Sequence, residues 1–313
     1  MVSLGQGDPG GTSATRAWIG SVPHADTWAM TTSTLGQLTA PNLTVRSAGT
    51  TFAYRRFGNS AADGTPLVFF QHYRGNLDNW DPALVDMIAG QREVILFDNA
   101  GVGGSTGATP RTISAMTAGA LAFLDALHLD RVDLLGFSIG GYIAQDLALQ
   151  RPQLVRRLVL ASTGPEGGFG MHGLAPGALA NATLDEPTAE SLLYLFFSGS
   201  QASKDKGREF IQRIFARTED RDEPVSLAVR DAQLDAFNAW GIADAGKLIR
   251  LTNLTQPALV ANGDNDIMIP TRNSHLLGGF LPDATVTIYP DAGHGFLFQY
   301  AEQFAAQVLA FLA

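Results

Sequence analysis

Four short runs constrain this chain more than anything else in it: PLVFFQH (66–72), REVILFDN (92–99), RVDLLGFS (131–138) and VRRLVLAS (155–162). Each is apolar at successive rather than alternate positions, so the strand it forms must be buried on both faces. Helix-length amphipathic stretches lie between them, around 77–90, 109–129 and 139–151. Strands and helices that alternate in this way build a parallel sheet covered on both sides.

The rhythm extends in both directions. LTVRS and TTFAYRRFG, joined at Ala48-Gly49, read as an opening antiparallel pair. PALVANG (257–263) and ATVTIYPD (284–291) bring the strands to eight, and a last helix covers 301–313. The expected fold class is therefore α/β: a mostly parallel, doubly wound, eight-stranded sheet with helices on both faces and a helical cap insertion. The cap is expected over 169–252, where helical stretches around 187–198, 203–217 and 224–240 come without a strand. It would sit at the carboxyl edge of the sheet, where open α/β folds bind ligands. The core is expected over 43–168 and 253–313. Residues 1–42, rich in Gly, Ser, Thr and Pro, read as a loose extension. Trp18 and Trp28 argue for its packing on the body, and Met30 offers a second translation start.

Composition excludes several functions. The 313 residues are 45% hydrophobic and 16% charged, with a mean hydropathy of +0.06, which is globular composition. A net charge of −9 with no basic cluster argues against nucleic acid as a partner. The absence of cysteine removes disulfides, thiolate zinc sites and cysteine nucleophiles together. The start shows no signal-peptide pattern and no apolar run approaches membrane length. The expectation is a cytoplasmic protein that acts on a small molecule, with no membrane partner and no metal or cofactor. Its oligomeric state cannot be read from the sequence.

Two serines stand in the frame G-x-S-x-G, the spacing of a nucleophile at a strand-to-helix turn: Ser105 in GVGGSTG and Ser138 in LLGFSIGGY. A strand runs directly into Ser138 and a helix leaves directly from it, as an elbow requires. The strand before Ser105 ends near Asp98, and GATPRT separates the serine from the next helix, so its glycines read as loop freedom. Ser138 is the expected nucleophile.

Serine needs a base. Of the six histidines, His294 in YPDAGHGFLF follows the last strand and so reaches the same sheet edge as Ser138; His128 and His275 lie at helix ends, His24 in the loose extension, His172 in the insertion, and His72 at the end of PLVFFQH. A carboxylate must hold that base in the right tautomer. NGDNDIMIP follows a strand and offers both Asp264 and Asp266.

With GFSIGG, FDNAGVGGS, GDNDIMIP and GHG in place, the chain from about residue 43 to its end resembles the α/β-hydrolase superfamily of serine esterases, lactonases and perhydrolases. In that family the acid commonly ends G-x-x-D, with a proline following. Gly263, Asp266 and Pro270 match, so the resemblance selects Asp266. It also implies an oxyanion hole made by two backbone amides. One belongs to Ile139, after the nucleophile. The other comes from the loop after PLVFFQH, where relatives often carry His-Gly and this chain has His72-Tyr73-Arg74-Gly75. Direct alignment makes Arg74 the donor, and the missing glycine keeps Tyr73 open. The Arg74 side chain could meet a substrate carboxylate or pair with Asp78.

The resemblance implies cleavage of an ester-like bond through a Ser138–His294–Asp266 triad and an acyl-enzyme. Serine at the elbow sets the chain apart from dehalogenases and most epoxide hydrolases of this fold, which use aspartate there. Tyr73, Phe196, Phe197, Phe215, Phe237, Trp240 and Phe296 are candidates for an apolar substrate pocket. A perhydrolase with the same triad, and a non-enzymatic ligand receptor on the same fold, are the alternatives.

Overall fold

A computed structural model describes residues 35–313. The expected packing of Trp18 and Trp28, and the role of Met30, lie outside the described residues. The chain opens with β1 (Leu43–Ser47) and β2 (Thr50–Gly58), then β3 (Leu67–Phe70), α1 (Pro82–Ala89), β4 (Glu93–Phe97), α2 (Ile113–Ala126), β5 (Val132–Phe137), α3 (Ile139–Gln150) and β6 (Val155–Ala161). It closes with β7 (Ala258–Gly263), α9 (Arg272–Phe280), β8 (Ala284–Tyr289), α10 (Phe296–Gln299) and α11 (Ala301–Leu312). The eight strands form one sheet in the order β1-β2-β4-β3-β5-β6-β7-β8. Strands β3 to β8 are parallel, and the β1–β2 hairpin adds antiparallel to β4. Helices cover both faces, α1 packing on α11 and α2 on α3.

Burial follows sheet position. Every residue of β3, β5 and β7 is buried, which is why these strands are apolar throughout, whereas edge strand β1 alternates half-buried and exposed positions. The buried Arg55 of β2 is the exception. Its guanidinium meets the equally buried Asp78 at 2.8 Å, so neither charge is left uncompensated.

Between β6 and β7 the chain forms α4 (Pro176–Ala182), α5 (Ala189–Phe196), α6 (Gln201–Ile214), α7 (Leu227–Trp240) and α8 (Ala245–Leu248), with no strand. Thr188, Ser200, Ser226 and Asp244 cap α5 to α8 with side chains that accept a first-turn amide, each worth about 1 kcal/mol. The sequence missed α4, which has Ala175 at its cap position and no capping side chain, and the four-residue α8.

Residues 36–42, expected to be loose, are fixed. Gln37 Nε2 donates to Leu77 O at 2.6 Å, its amide donates to Asp86 Oδ1 at 2.7 Å, and Arg217 donates to the carbonyls of Leu38 and Ala40. Their order comes from side-chain hydrogen bonds to distant elements, which leave no period in the sequence.

Candidate active site

Ser138 links the last residue of β5 to the first of α3 with φ 58° and ψ −122°. This is strained for a residue with a Cβ, and the surroundings impose it. Ser138 N donates to Ala161 O at 3.0 Å, and its carbonyl accepts from Gly141 N and Thr163 Oγ1. The flanking glycines answer to close approach. A Cβ on Gly136 would lie 2.6 Å from Gly140 O, and one on Gly140 would lie 2.1 Å from Phe70 O. Ile139 opens α3, so its amide has no intrahelical acceptor.

Ser105 differs in kind. Its Oγ donates to Asp98 O at 2.8 Å and accepts from Ala53 N at 2.9 Å, tying its loop to β2. It is absent from the cavity that Ser138 lines.

His294 lies between β8 and α10, and its Nδ1 donates to Asp266 Oδ2 at 2.8 Å. The other Asp266 oxygen accepts the amides of Met268 and Ile269 at 2.8 and 2.9 Å, which fixes the carboxylate in place. Asp264, the alternative acid, is exposed and accepts from Asn265 and from the Ala292 amide. Ser138 Oγ and His294 Nε2 are both buried, and neither has a hydrogen-bond partner among the described residues. The end of α5 holds the His294 loop: Gly295 N donates to Phe196 O at 2.7 Å, an approach that a side chain at 293 or 295 would block.

A cavity of about 190 Å³ contains Ser138 and His294. Leu192, Leu195, Phe196 and Met268 supply apolar wall, and Asn76, Asn79, Arg221 and Asp222 supply a polar one. Of the aromatic candidates, Tyr73, Phe196 and Phe215 line it, Phe215 largely exposed beneath the Arg221 guanidinium. The other four do not. Phe197 packs on Phe210, Phe237 and Trp240 pack on Tyr142, and Phe296 packs between Tyr289 and Phe304. These apolar side chains are consumed in packing elements on one another.

The loop after β3 also departs from expectation. His72 to Gly75 form a turn closed by Gly75 N on His72 O, with Arg74 at φ 62°. Burial pushes the His72 imidazole down to about 3, so the ring is neutral and its Nδ1–H donates to Tyr73 O at 2.8 Å. The Arg74 amide, expected to be free for an oxyanion, donates to Gln233 Oε1 at 2.6 Å. Its guanidinium does not pair with Asp78. It donates to the carbonyls of Leu184 and Asp185 in the cap, and Asp78 is taken by Arg55.

Asp222 brings one further carboxyl to the cavity. A Cβ on Gly103 would meet Asp98 Oδ2 at 2.4 Å and Asp222 Oδ2 at 2.9 Å, so the two side chains crowd one spot. Burial first, and the Asp222 charge second, hold the Asp98 carboxyl well above its ordinary range. Among the described residues, no group of three or more His, Asp or Glu is spaced to hold a metal ion. None of their helices is long and apolar enough to cross a membrane.

The model of the alpha/beta hydrolase fold family matches residues 65–300. A solved alpha/beta hydrolase fold protein from Chitinophaga pinensis is 41% identical with a TM-score of 0.83, the match covering 89% of this chain and 99% of that one. A poly(3-hydroxyalkanoate) depolymerase of Ectopseudomonas oleovorans is 30% identical over 79% of this chain and 84% of its own length. The dihydrolipoyllysine-residue acetyltransferase component of the acetoin cleaving system of Pseudomonas putida is 31% identical over 82% of this chain, which spans 66% of that protein's length. The chain belongs to the α/β-hydrolase fold family and is an enzyme of that family.

Sequence reasoning missed Gln233 and the Asp98–Asp222 pair. Gln233 did leave a signal, as the polar member of the buried stripe Val229, Ala232, Ala236, Phe237 and Trp240 on α7. The acid pair joins residues more than a hundred positions apart and left none.

Proposed function

We propose that the chain is a serine hydrolase that cleaves an ester-like bond in a small or medium, largely apolar substrate. The observation that carries this reading is the Asp266–His294 hydrogen bond, which leaves His294 Nε2 a bare, buried acceptor in the cavity that also holds the unpartnered Ser138 hydroxyl. In this mechanism Ser138 Oγ attacks the carbonyl carbon while its proton passes to His294 Nε2. Asp266 keeps the proton on Nδ1 and stabilises the imidazolium that forms. The amide of Ile139 and that of Arg74, once released from Gln233, receive the oxyanion, with Tyr73 the alternative donor in the same loop; the loss of one donor costs on the order of 3 kcal/mol. His294 then protonates the leaving oxygen. Water, deprotonated by the same nitrogen, releases the acid from Ser138.

The apolar wall of Leu192, Leu195, Phe196 and Met268 suits a short hydrocarbon acyl group. The depolymerase relative, named for a polyester, supports an ester as the bond cleaved. The test is hydrolysis of p-nitrophenyl esters from acetate to palmitate. Turnover that peaks at short or medium chains and vanishes in Ser138→Ala supports the reading. No turnover of any ester by folded protein contradicts it.

A further inference from the structure

The amide that alignment assigns to the oxyanion is already bonded, and the local geometry explains how. The carbonyl and N–H of a trans peptide point in opposite directions. In the Tyr73–Arg74 peptide the carbonyl accepts His72 Nδ1–H at 2.8 Å, so the N–H is turned the other way, onto Gln233 Oε1 at 2.6 Å. An amide N–H needs an acceptor, so it is the oxygen of the Gln233 carboxamide that stands there.

Gln233 comes from the cap. It lies one helical turn before Phe237 on α7, and Phe237 and Trp240 pack against Tyr142, one turn after Ser138 in the chain. This seating brings the side chain to the oxyanion loop, where it is 2% exposed. Its Nε2 donates to no described residue, so Oε1 holds the carboxamide by one hydrogen bond. A carboxamide oxygen is chemically close to the ester carbonyl oxygen that must bind the same amide. The two compete.

Resting on the hydrolase reading above, we propose that Gln233 holds the Arg74 amide that the oxyanion needs and is displaced from it by the substrate's carbonyl oxygen. The residue acts through Arg74, as a positioning residue. By bonding the Arg74 amide it lowers reactivity until a better acceptor arrives. A simple structural tie between α7 and the loop would have a different signature: its loss would slow the enzyme.

The experiment compares Gln233→Leu and Gln233→Glu with the unaltered protein, reading the rate of fluorophosphonate labelling at Ser138, kcat/KM for p-nitrophenyl butyrate, and Tm. Gln233→Leu removes the competing oxygen at similar bulk and is expected to raise both rates about three- to tenfold, the equilibrium worth of one neutral hydrogen bond. Gln233→Glu puts a charged acceptor on Arg74 N–H beside the developing oxyanion and is expected to lower both more than tenfold. A folded Gln233→Leu protein with unchanged or slower rates overturns the proposal. The structure of unaltered protein carrying a phosphonyl group on Ser138 decides the matter without a variant. Phosphonyl oxygen on Arg74 N–H with Gln233 turned away supports it, and Gln233 still on Arg74 refutes it. Failure of the unaltered protein to label at all would instead strike the hydrolase reading.

Discussion

Ser105 and Ser138 each have a glycine two residues before and two residues after, yet their hydroxyls meet opposite surroundings. Ser105 Oγ bridges Asp98 O and Ala53 N, so it is committed to holding a loop against β2. Ser138 Oγ is equally buried but bonds to no described residue, because β5 and α3 abut directly and their backbone groups pair elsewhere. The spacing of glycines specifies only backbone freedom. A nucleophile also needs a strand and a helix close enough to leave its hydroxyl without a backbone partner.

The largest test of this contrast is the pair of alanine variants. Ser138→Ala is expected to lower ester turnover by about a thousandfold or more. Ser105→Ala is expected to leave kcat/KM within about twofold while lowering stability by about 1–3 kcal/mol, since Ala53 N and Asp98 O lose a buried partner. The two aspartates that follow β7 extend the comparison. Asp266→Asn removes the carboxylate that fixes the His294 tautomer and is expected to cost a hundredfold or more, on the order of other triad acids. Asp264→Asn is expected to change turnover less than about twofold. Steady-state kinetics on one p-nitrophenyl ester checks all four.

Glycine substitutions probe the backbone side. Gly140→Ala would drive a Cβ to 2.1 Å from Phe70 O, a fixed strand carbonyl, and is expected to cost more than about 3 kcal/mol or to prevent folding. Gly107→Ala meets only Thr50 Oγ1 at 3.4 Å, although its φ of +95° is strained for alanine, and is expected to cost about 1–2 kcal/mol. Denaturant melts separate the two.

The smallest expected effect concerns pH. Asp98 holds its proton more tightly when folded than when unfolded, because of burial and then the Asp222 charge. That contribution to stability is fully present below the ordinary carboxyl range near about 3.9, and it is lost as pH rises through the raised value. In Asp222→Asn the carboxamide can donate to Asp98 at any pH. The variant is expected to lose less stability on the alkaline side, by about 1 kcal/mol, as Tm measured across pH would show.

What the sequence made legible was local. Eight strands, the long helices and the elbow are written in contiguous residues, so burial pattern and turn chemistry were enough to place them. The position of His294 at the sheet edge followed from the strand before it. Distant pairings were not legible. Spacing alone left Asp264 and Asp266 open, and a three-dimensional hydrogen bond separates them. Phe237 and Trp240 carry the same apolar signal whether they line a pocket or seat a helix, and they seat α7 on Tyr142. Residues 36–42 showed no period because Arg217 and Asp86 order them from afar.

The most direct measurement is to treat folded protein with a fluorophosphonate and locate the adduct by peptide mass, with Ser138→Ala and Ser105→Ala alongside. The expected result is one adduct on Ser138, retained in Ser105→Ala and lost in Ser138→Ala. An adduct on Ser105, or none on folded protein, would contradict the assignment of Ser138 as the activated nucleophile.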